Sequence, residues 1–374
     1  MTKRERLLAV IRGEAVDRVP VSPFIWTNYI SEFYGSQDVD MVEKGVEIYN
    51  YYGFDIMLRT CNVAAFGDEK ICDSKNWRVT EFTKKIDERK WEVTTIIRTP
   101  ERELRQIKGY CQITPNEVVE APIEYFIKDE EDFKQFVKYQ PPVPECDCSI
   151  VARALELIGD DGIAAPWIQG AFNSIGMVRR LEDLLLDPYI NPQLFAGMCN
   201  YFPRRTREIA RQYIKAGADM LCAGGNMATA TMVGPSFFKK YILDLEIEHC
   251  KIIKDMGAAY LYHNCGDAAA LLPLYSSIKM NVYESLTPPP YGDTDFDTAL
   301  STIDKSITLC GNIDQVSFLK EATPEEIEER VKEILTKAKK RENFILCTSD
   351  YFSEGTPEEN IRAFAEAGLK YGKY

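Results

Sequence analysis

Ala259-Tyr260-Leu261-Tyr262-His263-Asn264-Cys265-Gly266-Asp267 is a short apolar run that stops in a polar turn broken by glycine. Its length, its aromatic content and the glycine that ends it read as a β-strand running into a loop. One of the two histidines of the chain closes the strand, and a cysteine follows after one residue. Imidazole nitrogen and thiolate sulfur at that spacing can share one zinc ion. The fold then depends on how often the pattern of apolar strand, polar ending and amphipathic helix recurs.

It recurs along the whole chain. Residues 18–24 read as a first strand and 54–58 as a second; 162–170, 219–225, 258–263, 280–286, 306–311 and 343–348 supply six more. Amphipathic segments separate them, such as 324–340 with Glu and Lys near four-residue spacing. Thr2 followed by Glu5 predicts a capping box for an N-terminal helix over residues 3–12. Eight strands alternating with helices predict an α/β fold, a (β/α)8 TIM barrel with right-handed crossovers. A doubly wound open sheet competes, but no Gly-x-Gly-x-x-Gly turn supports its dinucleotide-binding form.

Residues 60–145 break the rhythm. Segments 77–84, 90–98 and 103–110 alternate polar with β-branched or aromatic residues, as an antiparallel meander would, and a helix follows over 129–139. We read 1–374 as a single barrel domain with 60–145 an inserted β-rich cap after the second strand. The 374 residues suffice for a barrel with one insertion.

Composition narrows the function classes. A net charge of −13 argues against a nucleic-acid backbone or an anionic membrane surface as the main partner. No apolar run reaches the roughly 20 residues of a membrane helix, and the N-terminal segment is amphipathic, so a cytoplasmic location is expected. Eleven cysteines, an odd number mostly in apolar contexts, read as reduced core thiols. Cys146-Asp147-Cys148 in a proline-rich stretch reads as a chance loop pair. His249, on a segment that reads as a helix, is expected to face the surface or pack locally.

In a TIM barrel the strand ends converge at the C-terminal mouth, where active sites lie. The polar endings are Gly224-Gly225-Asn226, His263-Asn264-Cys265-Gly266-Asp267, Glu284-Ser285, Gly311-Asn312-Ile313-Asp314 and Cys347-Thr348-Ser349-Asp350. His263 and Cys265 supply two metal ligands, Glu284 on the next strand could add a carboxylate oxygen, and Cys347 or Asp350 could complete the set. Asn226, Tyr262 and Trp26 are candidates for substrate binding. Asp350, Asp314 and Asn312 are candidates for catalysis, with loop capping as the alternative role for Asn226, Asn312 and Asp314.

The chain resembles the uroporphyrinogen decarboxylase-like superfamily, in its branch of zinc-dependent, corrinoid-linked methyltransferases. The resemblance rests on Lys3-Arg4-Glu5-Arg6 with Asp17-Arg18-Val19-Pro20, on His263-Asn264-Cys265-Gly266, on Cys310-Gly311-Asn312-Ile313-Asp314 and on Thr356-Pro357-Glu358-Glu359-Asn360-Ile361. It implies the same barrel and a zinc site of His-x-Cys plus a distant cysteine, with a glutamate near the metal. Counted back from Thr356-Pro357, the family's distant cysteine falls on Asp350, while Cys347 lies three residues earlier. On an unbroken strand those two face opposite sides. Register favours Asp350 and ligand softness favours Cys347.

The choice bears on chemistry. Two thiolates make an electron-rich zinc suited to a thiolate acceptor such as coenzyme M. One thiolate with carboxylates makes a harder Lewis acid, suited to the heteroatom of a methyl donor. The resemblance therefore implies demethylation of a small methylated substrate with transfer to a corrinoid, or the reverse transfer to a thiol. In the first direction Asp350 or Asp314 would manage the proton of the leaving heteroatom. No corrinoid-binding Asp-x-His-x-x-Gly occurs, so the corrinoid would be carried by a separate protein. Arg204-Arg205-Thr206-Arg207 and Arg211 could meet that protein, although a solvated helix face is the favoured reading of them.

Two other functions compete. Uroporphyrinogen decarboxylation needs cationic side chains, and the decarboxylases place an Arg-Gln-Ala-Gly-Arg segment after the first strand. Here Pro23-Phe24-Ile25-Trp26-Thr27-Asn28-Tyr29 stands there, without arginine. The other is a non-catalytic barrel that binds a corrinoid protein and holds a structural zinc. Trp26, Tyr29 and Trp167 are aromatics that could face the pocket and suit a methoxylated aromatic substrate.

Overall fold

The computed structural model describes residues 1–63 and 73–374; the stretch 64–72 of the expected insertion lies outside the described residues. Among the described residues twelve strands are present: β1 (Ile56–Leu58), β2 (Arg78–Lys85), β3 (Lys90–Arg98), β4 (Glu103–Gln112), β5 (Val118–Glu124), β6 (Gly162–Ala164), β7 (Trp167–Gln169), β8 (Met220–Gly224), β9 (Ala259–His263), β10 (Val282–Ser285), β11 (Thr308–Ile313) and β12 (Phe344–Thr348). β7 through β12 pair in parallel in chain order, and β1 pairs in parallel with β6.

The ring closes through short backbone links. Val21 bridges Leu346 of β12 in parallel, Ser22 N donates to Leu346 O at 2.9 Å, and Asp55 N donates to Val21 O at 2.9 Å. The expected first strand over 18–24 is thus reduced to a bridge. The expected third strand is split at Ala165-Pro166, where proline has no N–H to give the ladder. The eight positions around the barrel are therefore 19–22, β1, β6 with β7, and β8 to β12. This agrees with the barrel expected from the strand–helix alternation.

Strand parity sets what faces inward. Met57, Ile163, Met220, Cys222, Leu261 and Val282 fill the interior, together with Cys310 and Cys347. The intervening residues, among them Tyr260, Tyr262 and Tyr283, pack in the layer between strands and helices. The N-terminal helix Lys3–Ile11 has the expected Thr2–Glu5 capping box and buries Leu7 and Val10 in the barrel interior. Thr308 Oγ1, at the start of β11, donates to Val10 O at 2.6 Å, so this helix plugs the N-terminal end. Burying those side chains stabilises the closure by roughly 1.5–3 kcal/mol each.

The Asp17-Arg18-Val19-Pro20 motif belongs to this closure. Arg6 pairs with Asp17 at 2.6 Å and with Asp55 at 2.8 Å, and Arg18 pairs with Asp55 at 2.8 Å. The buried Asp55 also accepts the N–H of Val21 at 2.8 Å, which ties the first barrel position to β1.

Between β1 and β6 the chain forms the antiparallel sheet β2-β3-β4-β5 and the helix Glu130–Tyr139. The sequence reading has three strands there; β5 is the fourth, and its Pro122 and acidic residues had masked it. The β4–β5 turn reaches the segment after β12. Asn116 N donates to Glu354 at 3.1 Å, and Tyr351 donates to Glu117 at 2.5 Å. The meander is thereby anchored at the C-terminal mouth. No described helix is long and apolar enough to cross a membrane.

Candidate metal centre and active-site cavity

β9 delivers His263 with its side chain inward, on the same parity as Leu261. Cys265 follows in the turn, which closes because Gly266 brings its backbone against Thr229; a Cβ there would lie 2.7 Å from Thr229 Cγ2. β12 ends at Thr348, Ser349 N is caught by Ile313 O at 2.8 Å, and Asp350 N donates to the Gln315 amide oxygen at 3.1 Å. This bend carries Asp350 to the mouth. Donor atoms of His263, Cys265 and Asp350 all lie within 4.8 Å of one another, with His263 Nε2 3.8 Å from Asp350 Oδ2. Ligands of a tetrahedral zinc stand roughly 3.3–3.8 Å apart at ordinary bond lengths.

The other ring nitrogen is held from behind. His263 Nδ1 lies 2.9 Å from Glu284 Oε2 and 3.3 Å from Ser285 Oγ. Glu284 in turn receives both terminal nitrogens of Arg59, which is fully buried. Burial opposes ionisation of Glu284, yet the Arg59 guanidinium and the His263 hydrogen bond hold its carboxyl down to about 2. Burial likewise opposes a charged His263, but Asp350, Cys265 and Glu284 hold the imidazole protonated well above its ordinary value. An imidazole ringed by three acidic groups is a place that calls for positive charge, and a divalent cation supplies it while leaving Nδ1 free to donate to Glu284. The donor set therefore fits zinc. Just beyond Glu284, Ser285 and Leu286 adopt φ of 100° and 50°, a conformation that costs non-glycine residues energy and tends to occur near functional sites.

Not every candidate joins this group. Cys347 Sγ lies in the barrel interior with Glu284 and Cys310, a second cluster within 4.8 Å, and stands 3.9 Å from Glu284 Oε1. Glu284 itself is taken up by Arg59 and His263 Nδ1, which places it behind the imidazole and not beside Cys265 and Asp350. Asp314 accepts bonds from Val316 N, Ser317 N and Oγ, and Phe318 N; it caps its own loop and leads into the helix Phe318–Glu321. Asn312 is buried and reaches only Leu286 O, at 3.4 Å. Tyr262 faces outward because it alternates with His263 and Leu261, and its ring packs on Gly225, where a Cβ would lie 2.2 Å from it. Tyr29 is buried and hydrogen-bonds Tyr52, not the pocket. His249 is fully buried against Tyr260 with Arg207 3.4 Å from its Nδ1, and burial depresses it to about 3.

A cavity of about 770 Å³ opens above the group, with His263 and Asp350 in its lining. Asn226 and Trp26 line it as well, and so do Phe24, Trp167 and Tyr351. Phe24 and Trp26 come from the segment in which the decarboxylases carry arginines. Phe24 and Trp167 stack at 5.6 Å, and the Trp167 ring stands edge-on to His263 at 5.4 Å. Arg59 and Tyr351 were not singled out in the sequence. An arginine directly after an apolar strand was the available signal for the first, and adjacency to Asp350 for the second.

The model of the uroporphyrinogen decarboxylase (URO-D) family matches residues 114–371. The chain belongs to the URO-D family. A relative, the methylated-thiol–coenzyme M methyltransferase of Methanosarcina mazei, is 23% identical over 201 residues, 49% of this chain and 51% of the relative. The chain thus spans about half the length of that relative. The methylcobamide:CoM methyltransferase MtbA of the same organism is 24% identical over 379 residues, 99% of this chain and 98% of the relative. The solved structure of a methyltransferase from Methanosarcina mazei covers 99% of both chains with a TM-score of 0.72 at 15% identity. This URO-D protein therefore shares its barrel fold with that methyltransferase, and both relatives are methyltransferases by name.

Proposed function

We propose that this chain is an enzyme that moves a methyl group between a small molecule and a corrinoid carried by a separate protein, at a zinc held by His263, Cys265 and Asp350. The observation that carries this reading is the convergence of those three donors, two of which, His263 and Asp350, line one cavity, with Nδ1 of His263 held by Glu284. Zinc, when bound, supplies Lewis acidity to the heteroatom that carries or receives the methyl group. Glu284, fixed by Arg59, holds the imidazole in the tautomer that presents Nε2. Asp350 borders the cavity, where it can also take up or return the proton of the leaving heteroatom. Asn226 offers an amide to the body of the substrate, and Trp26 and Trp167 exclude water around it.

One thiolate among the donors favours the direction in which a methylated substrate is demethylated. The opposite transfer, from methylated corrinoid to a thiol, is the reading supported by the relatives named for coenzyme M. Decarboxylation of a polycarboxylate lacks support, because no lysine or arginine lines the cavity among the described residues. A structural zinc in a non-catalytic barrel would not call for an open cavity next to its ligands.

The test combines metal analysis with turnover. Purified protein should hold close to one zinc per chain, and His263→Ala and Cys265→Ala should each abolish it. Mixed with reduced corrinoid and a series of methylated donors, the zinc-loaded protein should produce the spectrum of the methylated corrinoid. A zinc-free protein whose turnover is indifferent to chelators would overturn the metal reading.

A further inference from the structure

The cavity above His263 has a chemical character of its own. Phe24, Trp26, Trp167 and Tyr351 give it aromatic walls, beside aliphatic and thioether side chains such as Ile168 and Met227. Phe24 and Trp167 lie nearly parallel, at 28°, while Trp26 and Tyr351 meet Phe24 edge-on at 5.7 Å. The polar groups added to this box are mostly uncharged amides and hydroxyls, Asn226, Gln169 and Thr206 among them. Among the described residues of the lining there is no lysine or arginine, and Asp350 is the only carboxylate. The neighbouring guanidinium, Arg59, is sealed behind Phe24 at 4.1 Å from its ring centre, and both its terminal nitrogens are spent on Glu284. Among the described residues of the lining, a second negative charge on a substrate would thus find no lysine or arginine as counter-ion, in a chain already at −13.

We infer that the small molecule of the proposed reaction is an uncharged methylated compound with a flat apolar body, of the aryl methyl ether or aryl methyl thioether type, and not an anionic thiol. The inference rests on the methyl-transfer reading and gives it a substrate class. The aromatic walls stack against the flat body, and the heteroatom lies toward His263 and Asp350. The bond broken joins the methyl carbon to that heteroatom, which keeps the electron pair and takes a proton from solvent. The bond formed joins the same carbon to the partner's reduced corrinoid, which donates its electron pair.

Binding tests this apart from turnover. With zinc-loaded full-length protein, tryptophan fluorescence and calorimetry should show methoxybenzene binding at least tenfold more tightly than 2-mercaptoethanesulfonate or tetramethylammonium. Trp26→Ala and Trp167→Ala should each weaken methoxybenzene at least tenfold with zinc content unchanged, and Trp26→Phe should restore most of the loss. Tighter binding of the sulfonate or of the cation, or indifference of methoxybenzene to these substitutions, overturns the substrate class. If reduced corrinoid is methylated from an anionic thioether and from no neutral donor, the substrate class falls and methyl transfer stands. If methoxybenzene binds as expected while no donor methylates corrinoid, methyl transfer falls and the preference for a flat neutral ligand stands.

Discussion

Glu284 receives His263 Nδ1 at 2.9 Å on one side and the Arg59 guanidinium on the other, so one buried carboxylate joins the candidate metal group to the barrel interior. All three groups are buried, and each charge is matched by its neighbour. Breaking such a pair by removing one partner costs far more than replacing both.

Glu284→Gln should therefore act twice. Leaving Arg59 buried without its counter-charge should destabilise the fold by about 3–5 kcal/mol, seen as a lowered midpoint of thermal unfolding. Loss of the anion behind His263 should weaken zinc about 10–100-fold, measured by competition with a chelator. The double variant Arg59→Met with Glu284→Gln should regain most of the stability but not the zinc affinity. Equal zinc affinity in Glu284→Gln and the parent would show that the carboxylate does not orient the imidazole.

Glu246 supplies a separate pH dependence. It is fully buried in the helix Leu243–Asp255 and accepts the N–H groups of Ala171 and Phe172 at 3.2 and 2.9 Å. Burial pushes its carboxyl up to about 7 from an ordinary 4.5, against those two hydrogen bonds and Arg207. A folded value above the unfolded one means that its stabilising contribution is complete below about 4.5 and is lost as pH rises through about 7. Roughly 1–3 kcal/mol should disappear across that window. Urea unfolding at pH 5 and pH 8 should show the loss in the parent protein, and Glu246→Gln should flatten it.

The meander is held at the mouth by a small polar contact. Glu354 accepts Asn116 N and Nδ2 at 3.1 and 3.0 Å, and Thr114 Oγ1 as well. Glu354→Ala should release the turn 113–117 with little change in global stability, on the order of 1 kcal/mol. Hydrogen exchange should accelerate in that turn while β8 to β12 keep their protection. Unchanged exchange there would mean that the Tyr351–Glu117 contact alone fixes the turn.

Much of this was legible because it is periodic. β12 is an apolar run of five residues ending in Thr348, and its neighbours repeat the pattern, so the alternation gives a parallel α/β fold, and the count of eight strands without a dinucleotide-binding glycine turn favours the barrel. His263 and Cys265 were legible because both donors sit on one strand end. Tyr262 was misjudged although parity speaks against it: next to an inward His263, it must face the helices. Asp314 offered no such signal, since an aspartate that caps its own loop and one that serves a substrate look alike in sequence. Arg59 was missed because a lone arginine after a strand gains meaning only when Glu284, from a distant strand, arrives opposite it. Asp350 depended on a backbone bend after Thr348 that no periodicity announces.

That bend separates the two candidate ligands at the end of β12. Cys347 is the softer ligand, but its thiol points into the interior beside Cys310 and Glu284. Asp350 is harder, yet its carboxylate lies with His263 and Cys265. Asp350→Ala should lower zinc affinity at least tenfold while the fold stays intact, because the residue is partly exposed at the mouth. Cys347→Ala should leave zinc content unchanged and cost only the small cavity left in the barrel, on the order of 1 kcal/mol. Asp350→Cys should restore zinc and make it softer, so that any exchange with a thiol acceptor gains relative to demethylation of an ether. Metal content measured on the three variants separates the possibilities. Loss of zinc in Cys347→Ala with retention in Asp350→Ala would require the strand end to rearrange around the ion, with the ligand set passing from the mouth to the interior.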